Sequence, residues 1–228
     1  MKKNYILILI LIIIYRCSAQ ETTAKKNRLT ETVTEYFNVL KDSDQIKEGQ
    51  YQALYLKNVI IARGKYTNNQ KTGIWYFYDT RQQTVQIFNY TENKLIYEEP
   101  VDSSRQYVHY LFDRKFKKSD FVTKPIRLGG RSYGYIPYLK FFHLSDDYDY
   151  WEQYYYAILE LLISPGGRLA DVKIHIKTSG LDAVTTFSPD IFSEEDKQFI
   201  PATLNGESIL SRIFLQLRVT DKGTLDIY

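Results

Sequence analysis

The chain has 228 residues, of which 44% are hydrophobic and 25% are charged, a composition typical of a globular protein and not of a disordered or fibrous one. The length predicts one large domain or two small ones, and the lone cysteine excludes both a disulfide-built scaffold and a zinc site made of paired cysteines. The formal charge of +3 comes entirely from the first sixteen residues, so the rest of the chain is neutral, which argues against generic nucleic-acid binding.

Residues 1–19 have the pattern of a secretory signal peptide. Two lysines precede an unbroken Ile/Leu run at Ile6–Ile14, which is too short to span a membrane as a helix, and small residues follow at Cys17 and Ala19. Cleavage after Ala19 predicts an exported protein in the periplasm or at the outer-membrane periphery of a Gram-negative bacterium. Two alternatives stay open: lipidation of Cys17, which alone would place the protein on a membrane, and an uncleaved anchor.

Residues 20–31 are polar and show no periodicity, so we expect a flexible lead-in. Residues 32–100 are rich in Tyr, Phe, Val, Ile and Thr between turn-forming clusters, which predicts antiparallel β-hairpins. A short Gly-x-aromatic unit begins at Gly49, Gly64 and Gly73, and the first and third of these glycines lie 24 residues apart. A recurring unit of this size predicts stacked hairpins that cover one another's apolar faces.

The stretch from Gly64 to Tyr78, followed by Phe88-Asn-Tyr90, resembles bacterial MORN-type repeats over about residues 46–97. The resemblance implies an elongated, antiparallel, non-catalytic sheet and no particular ligand. Trp75 and the neighbouring rings have two interpretations, a buried repeat core or a surface on which carbohydrate or peptide stacks. We favour the buried core because both faces of Ile74–Tyr78 are apolar.

The middle of the chain carries little chemistry that the sequence identifies. Residues 101–124 are predicted as a connector between two folded regions. Tyr150 and Trp151, with Tyr148 and Tyr154 beside them, form a candidate glycan-binding surface. The adjacent aspartates lack the spacing and glycine turn of a calcium loop, so no metal site is predicted there.

No enzymatic motif is evident along the chain. The three histidines lack metal-ligand spacing, and no nucleophile elbow is found, so we predict no catalytic residue, no cofactor and no enzyme activity. His175 lies between two lysines on an alternating polar face and is expected to be solvated. A hydrolase whose site only the fold assembles stays an alternative.

Residues 125–228 are predicted to form a small α+β domain. It is expected to begin with an apolar strand at Tyr154–Ile163, a turn at Gly166 and Gly167, and a second strand whose inward face carries Ala170, Val172, Ile174 and Ile176. A short helix capped by Ser193–Asp196 is expected to follow and to end near Ile200. A turn at Asn205 and Gly206 then leads to the last strand, Ser208–Val219. The order β-β-α-β predicts an antiparallel sheet with one helix packed on it, and the whole chain is expected to be α+β, mostly β.

Two segments of this domain, Ile163–Ile174 and Phe199–Glu207, are similar to TonB C-terminal-like domains, although Ile200 stands where the family has tryptophan. The resemblance implies recognition through a sheet edge, to which an extended peptide adds as a strand. Arg212, Phe214 and Arg218 on the last strand are therefore candidate binding residues for an envelope protein or a peptide. The alternative for the two arginines is that they are edge charges that prevent aggregation.

The sequence thus predicts a non-catalytic exported protein that works as a protein- or peptide-binding adaptor. The alternative is a different class of function, a glycan-binding module. The first interpretation requires a free sheet edge at Ser208–Val219, whereas the second requires a row of exposed rings. The hydrolase alternative requires a concave pocket with converging titratable groups.

Overall fold

The computed structural model describes residues 21–100, 107–144, 156–177 and 182–227. Over these ranges the protein is mostly β, with antiparallel sheets and a single short α-helix, which confirms the predicted α+β, mostly β class. The signal-peptide pattern of residues 1–19 lies outside the described residues.

Sheet I is a seven-stranded antiparallel meander in which each strand pairs with the next along the chain. Its strands are β1 (Thr22–Arg28), β2 (Val33–Leu40), β3 (Ser43–Tyr55), β4 (Val59–Thr67), β5 (Gln70–Tyr78), β6 (Thr84–Asn89) and β7 (Lys94–Glu98). Short turns connect them, and Asn68 and Asn69 between β4 and β5 both adopt positive φ, at 51° and 67°. This is the backbone of a type I′ hairpin, for which asparagine is well suited.

Strand β1 takes the place of the flexible lead-in that the sequence analysis expected over residues 20–31. It pairs with β2 without interruption, from Thr22 opposite Leu40 to Arg28 opposite Thr34. Almost all of its side chains are exposed, so no buried face imposes a periodicity on the sequence. Backbone pairing and surface contacts, such as the ion pair between Lys25 and Asp44 at 3.0 Å, hold the strand instead.

Sheet II is built from the C-terminal half and from one strand of the predicted connector. Its strands are β8 (Val108–Phe112), β11 (Tyr156–Ile163), β12 (Leu169–Lys177), β13 (Asp182–Phe187), β17 (Ser211–Val219) and β18 (Leu225–Asp226). The order is β13-β12-β11-β17, and both β8 and β18 pair with the far side of β17. All these pairs are antiparallel.

Two small ribbons lie outside these sheets. One joins β9 (Val122–Thr123), β15 (Ala202–Leu204) and β16 (Glu207–Ile209), and the other joins β10 (Ile126–Arg127) and β14 (Phe199–Ile200). The predicted turn at Asn205 and Gly206 connects β15 to β16, and both residues adopt positive φ, at 54° and 88°. The predicted last strand is divided at Leu210, where β16 ends and β17 begins.

The short helix lies at a different place from the one expected. Helix α1 is Gly130–Tyr133, whereas the segment predicted as helical from Ser193 forms a single turn. The capping contact itself is present, because Ser193 Oγ accepts a hydrogen bond from Asp196 N at 3.1 Å. The chain then leaves the turn because Gln198 bridges to Arg168 and the next two residues, as β14, pair with β10.

The turn at Gly166 and Gly167 joins β11 to β12 as predicted, with Gly167 N donating to Ser164 O at 2.9 Å. The inward face of β12 is confirmed at Val172, Ile174 and Ile176, which are buried. The expectation for Ala170 is wrong. Here the register shifts by one residue, so that Leu169 pairs with Ile163 and turns inward while Ala170 is exposed.

The two sheets share one hydrophobic core. It contains buried side chains from sheet I, from the segment around α1 and from sheet II. The largest fully buried members are Trp75, Tyr138, Phe77, Ile61, Leu139, Leu159, Leu161, Ile163, Ile174, Ile176 and Ile213. The two regions separated in the sequence analysis therefore pack against each other.

Asp226 ties the β1–β2 turn to the end of sheet II. Its side chain is fully buried. One carboxylate oxygen accepts hydrogen bonds from the hydroxyls of Thr30 and Thr32, at 2.6 and 2.9 Å, and the other accepts from Thr32 N at 2.8 Å. A buried carboxylate with this many donors is stabilised in place and fixes the position of the turn.

Asp226→Asn is expected to lower the free energy of unfolding by about 1–3 kcal/mol, because the amide nitrogen has no lone pair to accept from Thr32 N and leaves that donor buried without a partner. Urea unfolding at neutral pH measures the change. Asp221→Asn at the neighbouring exposed turn is the control, and an equal loss in both variants would contradict the role assigned to Asp226.

Candidate functional site

The strand expected to offer a free edge lies inside sheet II. Strand β11 pairs with β17 from Ser211 to Arg218. On the other side β8 covers Ser211–Leu215 and β18 covers Arg218 and Val219. The expected free edge at Ser208–Val219 is therefore wrong. The sequence did not reveal this because β8 belongs to the predicted connector, whose partner lies far along the chain.

Two of the three candidate binding residues on this strand are held in ion pairs. Arg212 Nε lies 3.0 Å from Glu160 Oε1, and a guanidinium nitrogen of Arg218 lies 3.6 Å from the buried carboxylate of Asp226. Phe214 is half-buried and lies directly opposite His109 of β8. These contacts stabilise the sheet.

Glu160 is the centre of a polar cluster on the outer face of sheet II. Its Oε2 lies 2.7 Å from His175 Nε2, and its Oε1 lies 3.0 Å from Arg212 Nε. His175 was expected to be solvated, yet only 21% of its side chain is exposed. Since both carboxylate oxygens are engaged, the cluster ties β12, β11 and β17 together.

The rings of sheet I form an aromatic cluster that is buried, as the core interpretation predicted for Trp75 and Phe77, both of which have no exposed surface. The other members are Tyr51, Tyr66 and Phe88 of the same sheet, Tyr90 directly after β6, and Tyr133 of α1. Ile74 on the opposite face is 44% exposed, so only one face of β5 is covered. The candidate glycan-binding residues Tyr150 and Trp151 lie outside the described residues.

The three repeat glycines serve different purposes. Gly49 and Gly73 adopt positive φ, at 92° and 65°, which glycine does without strain. Gly64 has an ordinary backbone conformation, and a Cβ there would overlap the indole of Trp75. Gly64 is therefore required by the close approach of this ring.

Two lysines lie against the aromatic cluster. Lys47 Nζ is 4.2 Å from the centre of the Phe37 ring and 3.1 Å from Glu35. Lys71 Nζ is 5.0 Å from the Trp75 ring and 2.5 Å from Glu195. The second ion pair joins sheet I to the turn before β14, so it fixes the two halves relative to each other.

The open edges of the two sheets differ in charge. Strand β1 carries Lys25, Lys26 and Arg28, residues of the kind that discourage strand addition. Strand β7 is short and includes a lysine and a glutamate. At β8, the ammonium group of Lys124 lies 6.0 Å from the centre of the Tyr110 ring.

Strand β13 is the exception among these edges. Ala183–Phe187 are uncharged, and their register with β12 is unbroken. Val184 is 53% exposed, and within the described ranges the backbone hydrogen bonds of β13 run only to β12. The sequence analysis missed this strand, although the Val-Thr-Thr-Phe run is a short β signal. It is the edge with the fewest obstacles to an added strand.

A cavity of about 800 Å³ lies between the two sheets. Its lining comes from β6 and β7, from β8, from the segment around α1, and from β17 and the C-terminal end. Arg131 bridges Asp79 at 2.6 Å and Glu99 at 2.7 Å, and Lys124 pairs with Glu98 at 2.7 Å. Titratable groups do converge here, but they are charge-paired. Sequence reasoning missed the site because its residues come from distant segments.

Three hydroxyls in this cavity, those of Tyr110, Ser132 and Tyr135, have no hydrogen-bond partner among the described residues. Tyr135 is 4% exposed and Ser132 is 7% exposed. Burial raises the pKa of the Tyr135 hydroxyl well above its ordinary value, and burial followed by the charges of Glu98 and Glu99 raises the pKa of Tyr110. Both phenols therefore stay protonated at neutral pH and can both donate and accept.

Comparison of the chain with protein-family models, with curated proteins and with solved structures returned no match. Within the described ranges no helix has the length and apolar character needed to cross a membrane. No group of three or more His, Cys, Asp or Glu side chains in the same part of the chain has the arrangement of a metal site.

Proposed function

We propose that this protein is an exported, non-catalytic binding protein that recognises an extended peptide by strand addition at the open edge of β13. The observation that carries the proposal is the uncharged, regularly paired edge at Ala183–Phe187. An edge strand presents a row of unpaired N–H and C=O groups, and main-chain hydrogen bonds to these groups supply affinity. Alternating side chains supply specificity.

The sequence supports this proposal in two further ways. Residues 125–220, with the motif-bearing part from Tyr154 onward, resemble TonB C-terminal-like domains, in which a sheet edge is the recognition element. The pattern of residues 1–19 predicts export. The proposal moves the recognition edge from β17 to the opposite side of sheet II. The MORN-like meander of sheet I is proposed as a rigid platform packed against it.

Proline substitutions on β13 test the proposal in the mature chain, residues 20–228. Peptides are first selected from a display library of random extended sequences. Backbone N–H groups of neighbouring residues in a strand point to opposite sides of the strand. One of the two substitutions Thr185→Pro and Thr186→Pro therefore removes an N–H that points to the open edge, and the other removes an N–H that is hydrogen-bonded to β12. The variant that loses the outward donor is expected to keep the wild-type Tm and to lose peptide binding.

The control is the same pair of substitutions on the charged edge, Thr23→Pro and Ala24→Pro, which is expected to leave peptide affinity unchanged. Failure to select any peptide would contradict the proposal, and so would selected peptides whose affinity survives both prolines on β13. Self-association through β13, detected by sedimentation, would identify a second copy of the chain as the added strand and would overturn recognition of a foreign peptide.

A further inference from the structure

The cavity between the two sheets is built as a ligand site independent of β13. Ser132 and Tyr135 are each more than nine-tenths buried as residues, and they line a space of about 800 Å³. Their hydroxyls have no partner among the described residues and are open to this space. The volume falls within the range of about 300–1,000 Å³ found for small-molecule sites.

Most charged groups around the cavity are paired with one another, and Arg81 of the lining is exposed. Asp79 and Glu99 both pair with Arg131, and Glu98 pairs with Lys124 and also accepts a hydrogen bond from Gln86 at 2.7 Å. Arg127, the remaining buried cation of the lining, is turned to Asp196 at 2.8 Å. A ligand with a net charge would compete with these ion pairs, whereas an uncharged ligand would leave them intact.

The rest of the lining is amphipathic. The ion pairs place N–H donors beside carboxylate acceptors. This arrangement suits a ligand with neighbouring hydroxyl groups, because each hydroxyl can both donate and accept a hydrogen bond. Apolar side chains from both sheets complete the wall: Val85, Val108, Ile126, Leu215, Leu217 and Ile227. Tyr107, 52% exposed, is also part of the lining. A sugar ring has the same two kinds of surface, C–H faces and hydroxyl edges.

We propose that this cavity binds a short uncharged saccharide. The hydroxyls of Tyr110, Ser132 and Tyr135 hydrogen-bond to the sugar, the ion pairs of Arg131 and Lys124 orient it, and the apolar wall covers its C–H faces. This site differs from the surface around Tyr150 and Trp151 that the sequence indicated. It uses buried hydroxyls and charge pairs, and it does not require a row of exposed rings.

Titration of the mature chain, residues 20–228, with cellobiose, maltose, lactose and N,N′-diacetylchitobiose tests the proposal by amide chemical-shift mapping and calorimetry. At least one of these sugars is expected to bind saturably, with the shifts concentrated at residues 130–132 and in the other lining segments. Digalacturonate and the chitosan disaccharide, which carry charge, are expected to bind more weakly.

Tyr135→Phe and Ser132→Ala remove one hydroxyl each without enlarging the side chain, and each is expected to weaken the affinity by about three- to tenfold. Tyr36→Phe on β2 is the matched control and is expected to leave the affinity unchanged. Absence of binding by all four uncharged sugars would overturn the proposal. So would shifts confined to other regions, or an affinity that neither cavity variant alters while both retain the wild-type Tm.

Discussion

Trp75→Ala is expected to lower the free energy of unfolding by about 3–5 kcal/mol, the cost of deleting a large buried side chain and leaving a cavity. Trp75 has no exposed surface, and its rings contact Tyr51, Tyr66 and Phe77. Its Nε1 also donates to Lys65 O at 3.2 Å. Chemical denaturation followed by circular dichroism measures the loss.

A double-mutant cycle with Gly64 tests the cause of this effect. Gly64→Ala in the wild-type background is expected to cost about 1–3 kcal/mol, because the new methyl overlaps the indole and the core cannot expand. In the Trp75→Ala background the clash is absent, so the same substitution is expected to be nearly neutral. Gly166→Ala, which meets only Ser164 Oγ at 3.8 Å, is the control. Equal costs of Gly64→Ala in both backgrounds would contradict the packing described.

Arg127→Met is expected to lower the free energy of unfolding by about 3–5 kcal/mol, because it leaves the partners of a buried cation unpaired. The side chain is 4% exposed. Its nitrogens donate to the carbonyls of Gly134, Glu195 and Gln198 at 2.9–3.0 Å and to Asp196 at 2.8 Å. The residue thus joins β10, the segment after α1 and the turn before β14.

Arg127→Lys separates charge from geometry. Lysine keeps the positive charge but cannot reproduce the planar fork of donors, so it is expected to recover only part of the loss. Arg114→Met is the control, since Arg114 pairs with Glu207 on the surface, and it is expected to cost about 0–1 kcal/mol. Thermal and urea unfolding compare the three variants. Full recovery by Arg127→Lys would show that the hydrogen-bond geometry is unimportant.

The parts of the fold that follow from local patterns could be predicted from the sequence. Alternation along β12, the turn at Asn205 and Gly206, and the Gly-x-aromatic units of sheet I each depend on neighbouring residues, so their signals are contained in short windows. The buried positions of Trp75 and Phe77 could likewise be predicted, because a dense aromatic run is costly to leave in water.

The parts that depend on distant partners could not be predicted. Strand β8 has an ordinary β pattern, but nothing near it shows that it covers β17. The capping contact at Ser193 formed as predicted, yet pairing of β14 with β10 ended the helical turn. Strand β1 has no buried face and therefore no periodic signal. In each case pairing with a distant strand determined the local structure, which the preferences of neighbouring residues did not specify.

The candidate sites follow the same division. The uncharged edge of β13 is contained in the five residues Ala183–Phe187, so it could be predicted from composition once the neighbouring strands are known. The cavity is assembled from segments as distant as Asp79, Arg131 and Ile227, and its unpartnered hydroxyls come together only in the folded chain. Sequence patterns do not contain that information.

An N-methyl scan of a selected peptide tests most directly whether an extended peptide adds as a strand to β13. Each backbone amide of the peptide is methylated in turn, and the affinity for the chain of residues 20–228 is measured together with hydrogen exchange of residues 183–187. Strand addition predicts that methylation weakens binding at every second position, and that every second amide of β13 gains protection. An affinity that falls without this period of two, or unchanged exchange along β13, would contradict the claim.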